Sequence, residues 1–316
     1  MQPGGAERGS RLGPLTSQPK TYEGAGVSLA TAESIVERLR TAVESTGARA
    51  FGGFAGLYPL DERRFLVAST DGVGSKLMLS RRAGRLRSAG MDLAAHCIND
   101  VLCCGADPLF FLDYVAAGRI EEKDVADLVE GAAEVCRSAG CMLVGGETAE
   151  LPGIYREGEL DFAGTCVGIV DHERLIDGSR CRRGDVVIGL PSSGLHTNGF
   201  SLVRKLVGEG SFDADLLLAP HRLYVDDVRE LRAAADVRAL AHVTGGGIIG
   251  NLSRVLPGGL EAQIDWDAWE RPRVFSWLSE QGVEEDELRR VFNVGIGMCA
   301  VVPEPPPDTL VIGELA

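Results

Sequence analysis

The sequence of 316 residues lacks three features, and each absence excludes a class of protein. Its eight cysteines include no C-x-x-C pair, which argues against a zinc site or a disulfide framework and favours buried, reduced thiols. No apolar run is long enough to span a membrane, and no signal-peptide pattern is present. No long Lys/Arg cluster offsets the formal net charge of −14. We therefore expect a cytoplasmic protein without a nucleic-acid or membrane partner.

Glycine, in contrast, is abundant. It provides 41 of the 316 residues, about 13% against a usual ~7%. Most of these glycines lie in short clusters between patterned segments. Because glycine accepts positive φ and lets a ligand approach the backbone closely, the clusters indicate ligand-binding loops.

Alternating helix and strand patterns predict an α/β or α+β chain of two domains. Residues 1–19 are rich in Gly, Pro and Ser and are predicted to be a disordered tail. A charged, Arg- and Gly-rich stretch predicts a boundary between domains at 20–170 and 171–316. The predicted helices are 28–46, 91–104, 121–138, 198–207, 224–235 and 248–255. The predicted strands are 54–58, 65–70, 108–116, 141–144, 162–170, 185–190, 259–264 and 294–302.

A first candidate site follows the predicted strand 65–70, where Asp71, Gly72, Gly74 and Lys76 lie close together in the chain. Phosphate binding uses these groups: backbone N–H donors, a cation, and a carboxylate for Mg²⁺. The spacing is not that of a Walker A loop. An Asp-Gly turn followed by a surface lysine is the alternative.

Two further segments carry acids. Asn99 and Asp100 lie inside an otherwise apolar helix, where a carboxylate needs a partner unless it faces solvent. In "LVGGETAELPG" the predicted strand 141–144 ends at Gly145 and Gly146, and Glu147 follows. This stretch is either a solvated turn or a metal and phosphate site, and Asp71, Asp100 and Glu147 are the candidate Mg²⁺ ligands.

The second half contains two candidate anion-binding loops. One loop, before the helix at 198, carries Ser193, His196, Thr197 and Asn198, and the other consists of residues 244–247. Helix N-termini preceded by hydroxyls or glycines suit anions, although a capped helix start is the common alternative for each. Of the remaining histidines, His96, His172 and His221 are predicted to be surface or structural residues. His242 is predicted to lie at a strand end beside the glycine loop.

Together these motifs resemble the phosphoribosylformylglycinamidine cyclo-ligase (AIR synthetase) family over residues 20–314. The resemblance is carried by the order and spacing of "YEGAGV", "TDGVGSK", "DVLCCGADP", "FFLDYVAAG", "LVGGETAELPG", "HVTGGGIIGNLSRVLP" and "FNVGIGM". It implies a two-domain fold whose N-terminal domains pair in a homodimer with a barrel-like sheet, followed by a C-terminal α/β domain. The implied reaction is the ATP- and Mg²⁺-dependent cyclisation of formylglycinamidine ribonucleotide to aminoimidazole ribonucleotide through an iminophosphate, releasing ADP and phosphate.

The resemblance also implies roles for individual residues. Three residues are implied to be catalytic: Lys76, Asp100 and His196. The implied ATP-binding residues are Lys20, Asp71, Gly72, Gly74, Lys76, Asn99, Asp100, Gly105, Ala106, Gly145, Gly146 and Thr148. The implied substrate-binding residues are Ser193, His196, Thr197, Asn198, Thr244, Gly245, Gly246 and Gly247. The implied metal ligands are Asp71, Asp100 and Glu147.

The chain departs from the family pattern in several places. Ser75 and Thr197 each exchange one hydroxyl residue for another. Leu195 replaces a usual proline, and Ala219-Pro220-His221-Arg222 replaces a usual Thr-Pro-Thr-Lys/Arg stretch. Because the chain stops soon after Glu314, the last strand is expected to be incomplete or frayed. The alternatives are a sibling ATP enzyme of the same fold, namely selenophosphate synthetase, thiamine-monophosphate kinase or the hydrogenase maturation factor, and a non-catalytic nucleotide-binding regulator.

Overall fold

The computed structural model describes residues 20–48 and 52–316, so the predicted tail 1–19 lies outside the described part of the chain. The first half consists of α1 (Leu29–Glu44), β1 (Gly56–Pro59), β2 (Arg64–Gly72), α2 (Lys76–Arg82), α3 (Leu86–Leu102), β3 (Asp107–Ala117), α4 (Glu122–Ala139), β4 (Met142–Glu150) and β5 (Leu160–Asp171). The second half consists of β6 (Val186–Pro191), α5 (Phe200–Val207), α6 (Ala214–Leu217), α7 (Val225–Ala234), β7 (Ala239–His242), α8 (Gly247–Ser253), β8 (Ala262–Ile264), α9 (Arg273–Glu280), α10 (Glu285–Val291), β9 (Ile296–Val302) and β10 (Val311–Leu315).

Each half builds its own five-stranded sheet, and this confirms the predicted α/β (α+β) fold class. The first sheet has the order β1-β2-β5-β3-β4, with only β3 and β4 parallel. The second has the order β7-β9-β6-β10-β8 and is antiparallel throughout the described pairs. The expected fraying of the last strand is wrong, because β10 is bonded to β6 on one side and β8 on the other.

Helices α3 and α4 cover one face of the first sheet and pack against each other at two glycines. A Cβ on Gly90 would lie 1.9 Å from the carbonyl oxygen of Leu128, and a Cβ on Gly131 would lie 1.9 Å from that of Arg87. The two backbones therefore touch directly, which no larger residue permits. This close approach fixes α3 against α4, and α3 carries His96, Asn99 and Asp100.

The opposite face of the first sheet has no helix over it among the described residues. Leu112 and Tyr114 on β3 and Met142 on β4 point to that side and are 39%, 38% and 67% exposed. We call these three residues and their neighbourhood the open sheet face. Exposed apolar surface of this kind marks an interaction site more often than ordinary surface.

Strand β4 is longer than the sequence pattern predicts. It does not end at Gly145 and Gly146 but continues to Glu150. A β-bulge at Val144–Gly145 shifts the register with β3, and Gly146 lies so close to Asp113 that a Cβ would be 2.5 Å from its carboxylate. The glycines therefore serve the bulge and the close packing of a strand interior rather than a loop.

Candidate active site between the two domains

Two cavities lie where the halves of the chain meet, with volumes of ≈ 1020 and ≈ 330 Å³. Both are lined by Asp71, His96 and Thr244, so residues from the first sheet, from α3 and from the second half meet at one place. The larger cavity is also lined by Ser69, Thr70, Asp100, Gly245, Gly246 and Arg254. The smaller is also lined by Tyr22, Gly72, Gly74, Ser75, Thr197 and Asn198.

Asp71 is positioned by its place at the end of β2 and by His96 of α3. Its Oδ2 lies 2.8 Å from His96 Nε2, and its Oδ1 accepts a hydrogen bond from the Gly72 N–H at 2.7 Å. The other ring nitrogen of His96 lies 2.8 Å from Thr197 Oγ1. This histidine therefore connects the first sheet to a loop of the second half.

The Asp71–His96 contact is an ion pair at neutral pH. Burial alone would lower the pKa of His96, but the carboxylate of Asp71, helped by those of Asp100 and Asp92, outweighs burial and raises that pKa to about 9. Burial also acts to raise the pKa of Asp71, and the His96 charge outweighs it and lowers that pKa below its usual value. Asp71 is thereby kept ionised beside the cavities.

We expect the ion pair to give the protein a measurable pH dependence of stability. Because the pKa of His96 is raised from 6.5 to about 9, its contribution is complete below pH 6.5 and is lost as the pH rises through 9. Solvent screens the partly exposed Asp71, so we expect a loss on the order of 2 kcal/mol. Urea unfolding between pH 6.5 and 9.5 should show this decline in wild type and a flatter profile in His96→Gln. Parallel profiles for the two proteins would contradict the pairing.

Asp100 lies one helical turn after His96 and is already engaged on both oxygens. Its Oδ1 lies 2.7 Å from His242 Nδ1 and its Oδ2 accepts from Ser69 Oγ at 3.0 Å. Its side chain is 9% exposed and reaches the wall of the larger cavity. A cation there would meet one carboxylate that is open, Asp71, and one that is fixed by two hydrogen bonds.

Lys76 does not face the cavities. Its side chain is completely buried, with Nζ 2.9 Å from Asp92 Oδ1 and 2.9 Å from the Ala219 carbonyl oxygen. Burial lowers the pKa of Lys76 and the Asp92 carboxylate opposes that shift. Asp92 Oδ1 also accepts from the His221 N–H at 2.7 Å, so this ion pair ties the first half to the 218–224 loop.

Asn99 is likewise buried and joins the two halves. Its Nδ2 donates to the Arg222 carbonyl oxygen at 2.8 Å, and its Oδ1 accepts from the Tyr224 N–H at 3.0 Å. Gly105 follows the end of α3 with φ of 74°, and Ala106 is buried next to it. Neither Asn99 nor these two residues lines the two cavities.

The predicted substrate loops divide into two groups. Thr197, Asn198 and residues 244–246 line the cavities, and the buried Nδ2 of Asn198 has no hydrogen-bond partner in the described part of the chain. Ser193 donates to the Pro220 carbonyl oxygen, and His196 is fully buried. Gly247, with φ of 64°, packs against the Arg289 carbonyl oxygen at the start of α8.

Glu147 lies apart from Asp71 and Asp100 within one chain. In the first sheet Asp71, Gly164, Asp113 and Gly146 are successive partners, so β2 and β4 are three strand spacings, about 14 Å, apart. Glu147 is in register with Tyr114 and shares the open sheet face, whereas Asp71 shares the face that α3 covers. The three carboxylates therefore do not converge in one chain, and Gly145, Gly146 and Thr148 lie with Glu147 on the edge strand.

Two residues at the cavities were not found from the sequence. His96 was expected to be a surface or structural residue, but it lines both cavities, and its i, i+4 spacing from Asp100 was the available signal. Arg254, at the end of α8, lies over the Phe54 ring at 4.2 Å and donates to the Gly53 carbonyl oxygen at 2.8 Å. Lys20, in contrast, is exposed, and its ammonium contacts the Gln281 carbonyl oxygen away from both cavities.

The sequence matches the models of both domains of one protein family. The AIR synthase related protein N-terminal domain matches residues 52–170, and the C-terminal domain matches residues 182–311. The phosphoribosylformylglycinamidine cyclo-ligase of Synechococcus sp. (strain CC9605) is 45% identical over 311 residues, which are 92% of this chain and 90% of the relative. The protein of the same name from Anaeromyxobacter dehalogenans (strain 2CP-1) is 46% identical over 303 residues, 89% and 88% of the two chains.

Solved structures with lower identity share the fold. AaThiL complexed with AMPPCP and TMP aligns with a TM-score of 0.66 at 18% identity, covering 88% of this chain and 89% of the other. The hydrogenase maturation protein HypE aligns with a TM-score of 0.61 at 19% identity, covering 83% and 82%. At these identities the likeness shows the common fold alone.

No helix in residues 20–48 or 52–316 is long and apolar enough to cross a membrane.

Proposed function

The chain belongs to the AIR synthase related protein family, and on this premise we propose that it is a phosphoribosylformylglycinamidine cyclo-ligase of purine biosynthesis. The reaction closes the imidazole ring of formylglycinamidine ribonucleotide at the expense of ATP. The amide oxygen is phosphorylated, the amidine nitrogen attacks the resulting iminophosphate, and phosphate leaves. The products are aminoimidazole ribonucleotide, ADP and phosphate.

One observation carries the proposal. Asp71, His96 and Thr244 line two adjoining cavities, which bring the acidic end of β2 together with both candidate anion loops of the second half. A bisubstrate phosphoryl transfer needs two neighbouring binding spaces that hold the reacting groups in line. The buried Nδ2 of Asn198, which no residue of 20–48 or 52–316 accepts from, supplies a donor for a bound ligand in the smaller space.

The carboxylate oxygens around the larger cavity suit Mg²⁺. Magnesium is held by few protein carboxylates, and nucleotide phosphates and water complete its octahedron. Asp71 is ionised and partly open, and Asp100 reaches the same wall. When bound, the ion neutralises charge on the transferred phosphoryl group. AMPPCP, an ATP analogue, is bound in AaThiL of the same fold, which supports ATP as the cosubstrate here.

The remaining site residues orient the ligands. His96 fixes the Asp71 carboxylate and holds a proton on each ring nitrogen, so it places positive charge beside the cavities. Thr244 and the glycines at 245 and 246 offer a hydroxyl and open backbone to the substrate phosphate or amide. Lys76 is a positioning residue in this proposal, because its ammonium holds Asp92 and the 218–224 loop.

An assay of ADP release tests the function. We expect Mg²⁺-dependent ADP release with formylglycinamidine ribonucleotide, and little without it, together with formation of aminoimidazole ribonucleotide. Thiamine monophosphate serves as the comparison substrate for the sibling kinases of this fold. ADP release that is equal with and without formylglycinamidine ribonucleotide, or that occurs only with thiamine monophosphate, would refute the proposal.

A homodimer is the second part of the proposal. The open sheet face carries the exposed side chains of Leu112, Tyr114 and Met142, and no helix of the described part of the chain covers them. A second copy supplies a matching apolar face, and a two-fold arrangement buries both faces at once. This supports pairing of the N-terminal domains through their sheets.

Charge on the open sheet face should separate the two copies. We expect Leu112→Arg to shift the mass from dimer to monomer in light scattering at micromolar concentration, because an unpaired guanidinium would be buried at the contact. The matched control is Ile249→Arg, on the exposed side of α8 in the second half, which should stay dimeric. A wild-type monomer throughout that concentration range would refute the pairing.

Pairing gives Glu147 a way to act despite its distance from Asp71. We propose that Glu147 completes the site of the partner copy, and expect Glu147→Gln to lower substrate-dependent turnover by ~10²-fold. Mixing Glu147→Gln with inactive Asp71→Asn should then recover part of the activity, because one site of each mixed dimer contains both native carboxylates. No recovery in confirmed mixed dimers would contradict the shared site, and full activity of Glu147→Gln alone would make it a sheet-edge residue only.

A further inference from the structure

Four of the five histidines of this chain meet in one buried cluster. The ring centroids of His196 and His221 are 3.9 Å apart, those of His221 and His242 are 5.0 Å apart, and His96 lies 4.9 Å from His242. The fifth histidine, His172, stacks on Phe65 elsewhere. Burying several imidazoles together is unfavourable unless their polar atoms find partners.

Three members of the cluster present ring nitrogens that can bind one ion together. His196, His221 and His242 each offer a ring nitrogen within 4.8 Å of the other two, and their exposures are 0%, 4% and 0%. The Nδ1 atoms of His196 and His221 are buried, and neither has a hydrogen-bond partner among residues 20–48 and 52–316. An unsatisfied buried polar atom costs about 1–3 kcal/mol, so these rings are held together at a cost that a shared ligand on their other nitrogens can offset.

The surrounding bonds set the ring orientation in the way that metal sites do. His242 Nδ1 lies 2.7 Å from Asp100 Oδ1, so it carries the proton and leaves Nε2 with a free lone pair. That Nε2 lies 2.9 Å from Nε2 of His221. A carboxylate behind a histidine is the usual outer-shell partner of a metal ligand, because it fixes the tautomer and raises the basicity of the other nitrogen.

We propose that His196, His221 and His242 form a binding site for a divalent transition-metal ion with the chemistry of zinc, with Asp100 as the orienting carboxylate. Neutral imidazoles suit zinc, whereas Mg²⁺ prefers oxygen ligands. With metal–nitrogen bonds of about 2.0–2.1 Å, the two Nε2 atoms move apart by a few tenths of an ångström, and the proton of His221 moves to its Nδ1.

Bound metal would join segments that are distant in the sequence. His196 comes from the loop before α5, His221 from the loop after α6, and His242 from the end of β7. Asp100 and Asp92 connect this group to α3 through His242 and the His221 N–H. The site therefore lies across the contact between the two halves. The proposal does not rest on the cyclo-ligase activity and is tested without any substrate.

The test uses the full chain, freed of metal with a chelator and kept without nucleotide. We expect one equivalent of Zn²⁺ to remain after desalting, and Co²⁺ to give the intense visible d–d bands of nitrogen ligation in a four- or five-coordinate site. Both ions should raise the melting temperature, and a large excess of Mg²⁺ should not compete. His221→Thr should weaken Co²⁺ binding at least tenfold, whereas the matched control His172→Asn should bind like wild type.

Three outcomes would overturn the proposal. The first is unchanged Co²⁺ affinity in His221→Thr. The second is strong near-ultraviolet thiolate-to-cobalt charge transfer, which would assign the metal to the cysteines. The third is measured on wild type alone, in case the variant does not fold, by long-range ¹H–¹⁵N spectra of the histidine rings. If Zn²⁺ shifts only the His172 signals, the binding is adventitious surface binding. Shifts of the His196, His221 and His242 signals support the site.

Discussion

Asp71→Asn is expected to lower substrate-dependent ADP release by ~10²-fold or more at saturating Mg²⁺, while the protein stays folded. The carboxylate lines both cavities and is fixed by His96 and by the Gly72 N–H, so its oxygens already point where charge must be neutralised. The amide keeps the shape of the side chain and removes its charge. The large effect follows because a group aimed at transition-state charge is lost without any change in the backbone.

The control for this variant is Asp61→Asn, in the turn between β1 and β2. Asp61 is also paired with a cation, Arg64, but on the surface, and it lines neither cavity. Its loss should leave turnover near that of wild type. Melting temperatures of both variants establish that folded proteins are being compared. Near-wild-type turnover of Asp71→Asn would remove Asp71 from the site and with it the main support for the proposed phosphoryl transfer.

Asp92→Asn is expected to lower the free energy of unfolding by about 3–5 kcal/mol, the cost of leaving a buried charge without its partner. Both Lys76 and Asp92 have side chains that are 0% exposed, and Nζ lies 2.8 Å from Asp92 Oδ2. The same carboxylate accepts from the His221 N–H, so the damage should extend to the contact between the two halves. Urea unfolding at pH 7 measures the loss.

Glu134→Gln provides the matched comparison, since Glu134 pairs with Arg87 at 3.0 Å on the surface. Its side chain is 43% exposed, and exposed pairs contribute about 0–1 kcal/mol, so its unfolding midpoint should move little. Equal losses for the two variants would mean that the Lys76–Asp92 pair is no more important than a surface pair. The cost of burying the Lys76 ammonium would then be offset in another way, such as by its hydrogen bond to the Ala219 carbonyl oxygen.

The sequence by itself determined the local structure of most of the chain. The apolar stripe in 121–138 predicts a helix, and α4 spans Glu122–Ala139. The run 108–116 predicts a strand, and β3 spans Asp107–Ala117. These predictions succeed because the spacing of apolar residues that marks a helix or a strand can be read within a few positions of the sequence. The ordered set of motifs likewise predicted the family that the domain matches show.

Local sequence patterns did not predict the short strands or the strand pairing that extends β4. Strand β7, Ala239–His242, was given no predicted range, and strand β10, Val311–Leu315, was expected to be frayed, because segments of four or five residues carry too little periodicity. The glycines of β4 suggested that the strand ended, whereas the bulge opposite Leu112 allows it to continue. That outcome depends on pairing with β3, which is thirty residues earlier in the chain.

Only the tertiary structure decided which polar residues share the site. Asp71 and Glu147 looked equivalent in the sequence, yet the sheet order separates them by three strand spacings and the register places them on opposite faces. Lys76 looked like a phosphate ligand, yet Asp92 holds it in the interior. His96, His196, His221 and His242 come from four distant segments. Such convergence depends on long-range register and packing between sheets and helices, and no pattern within one segment records the position of another.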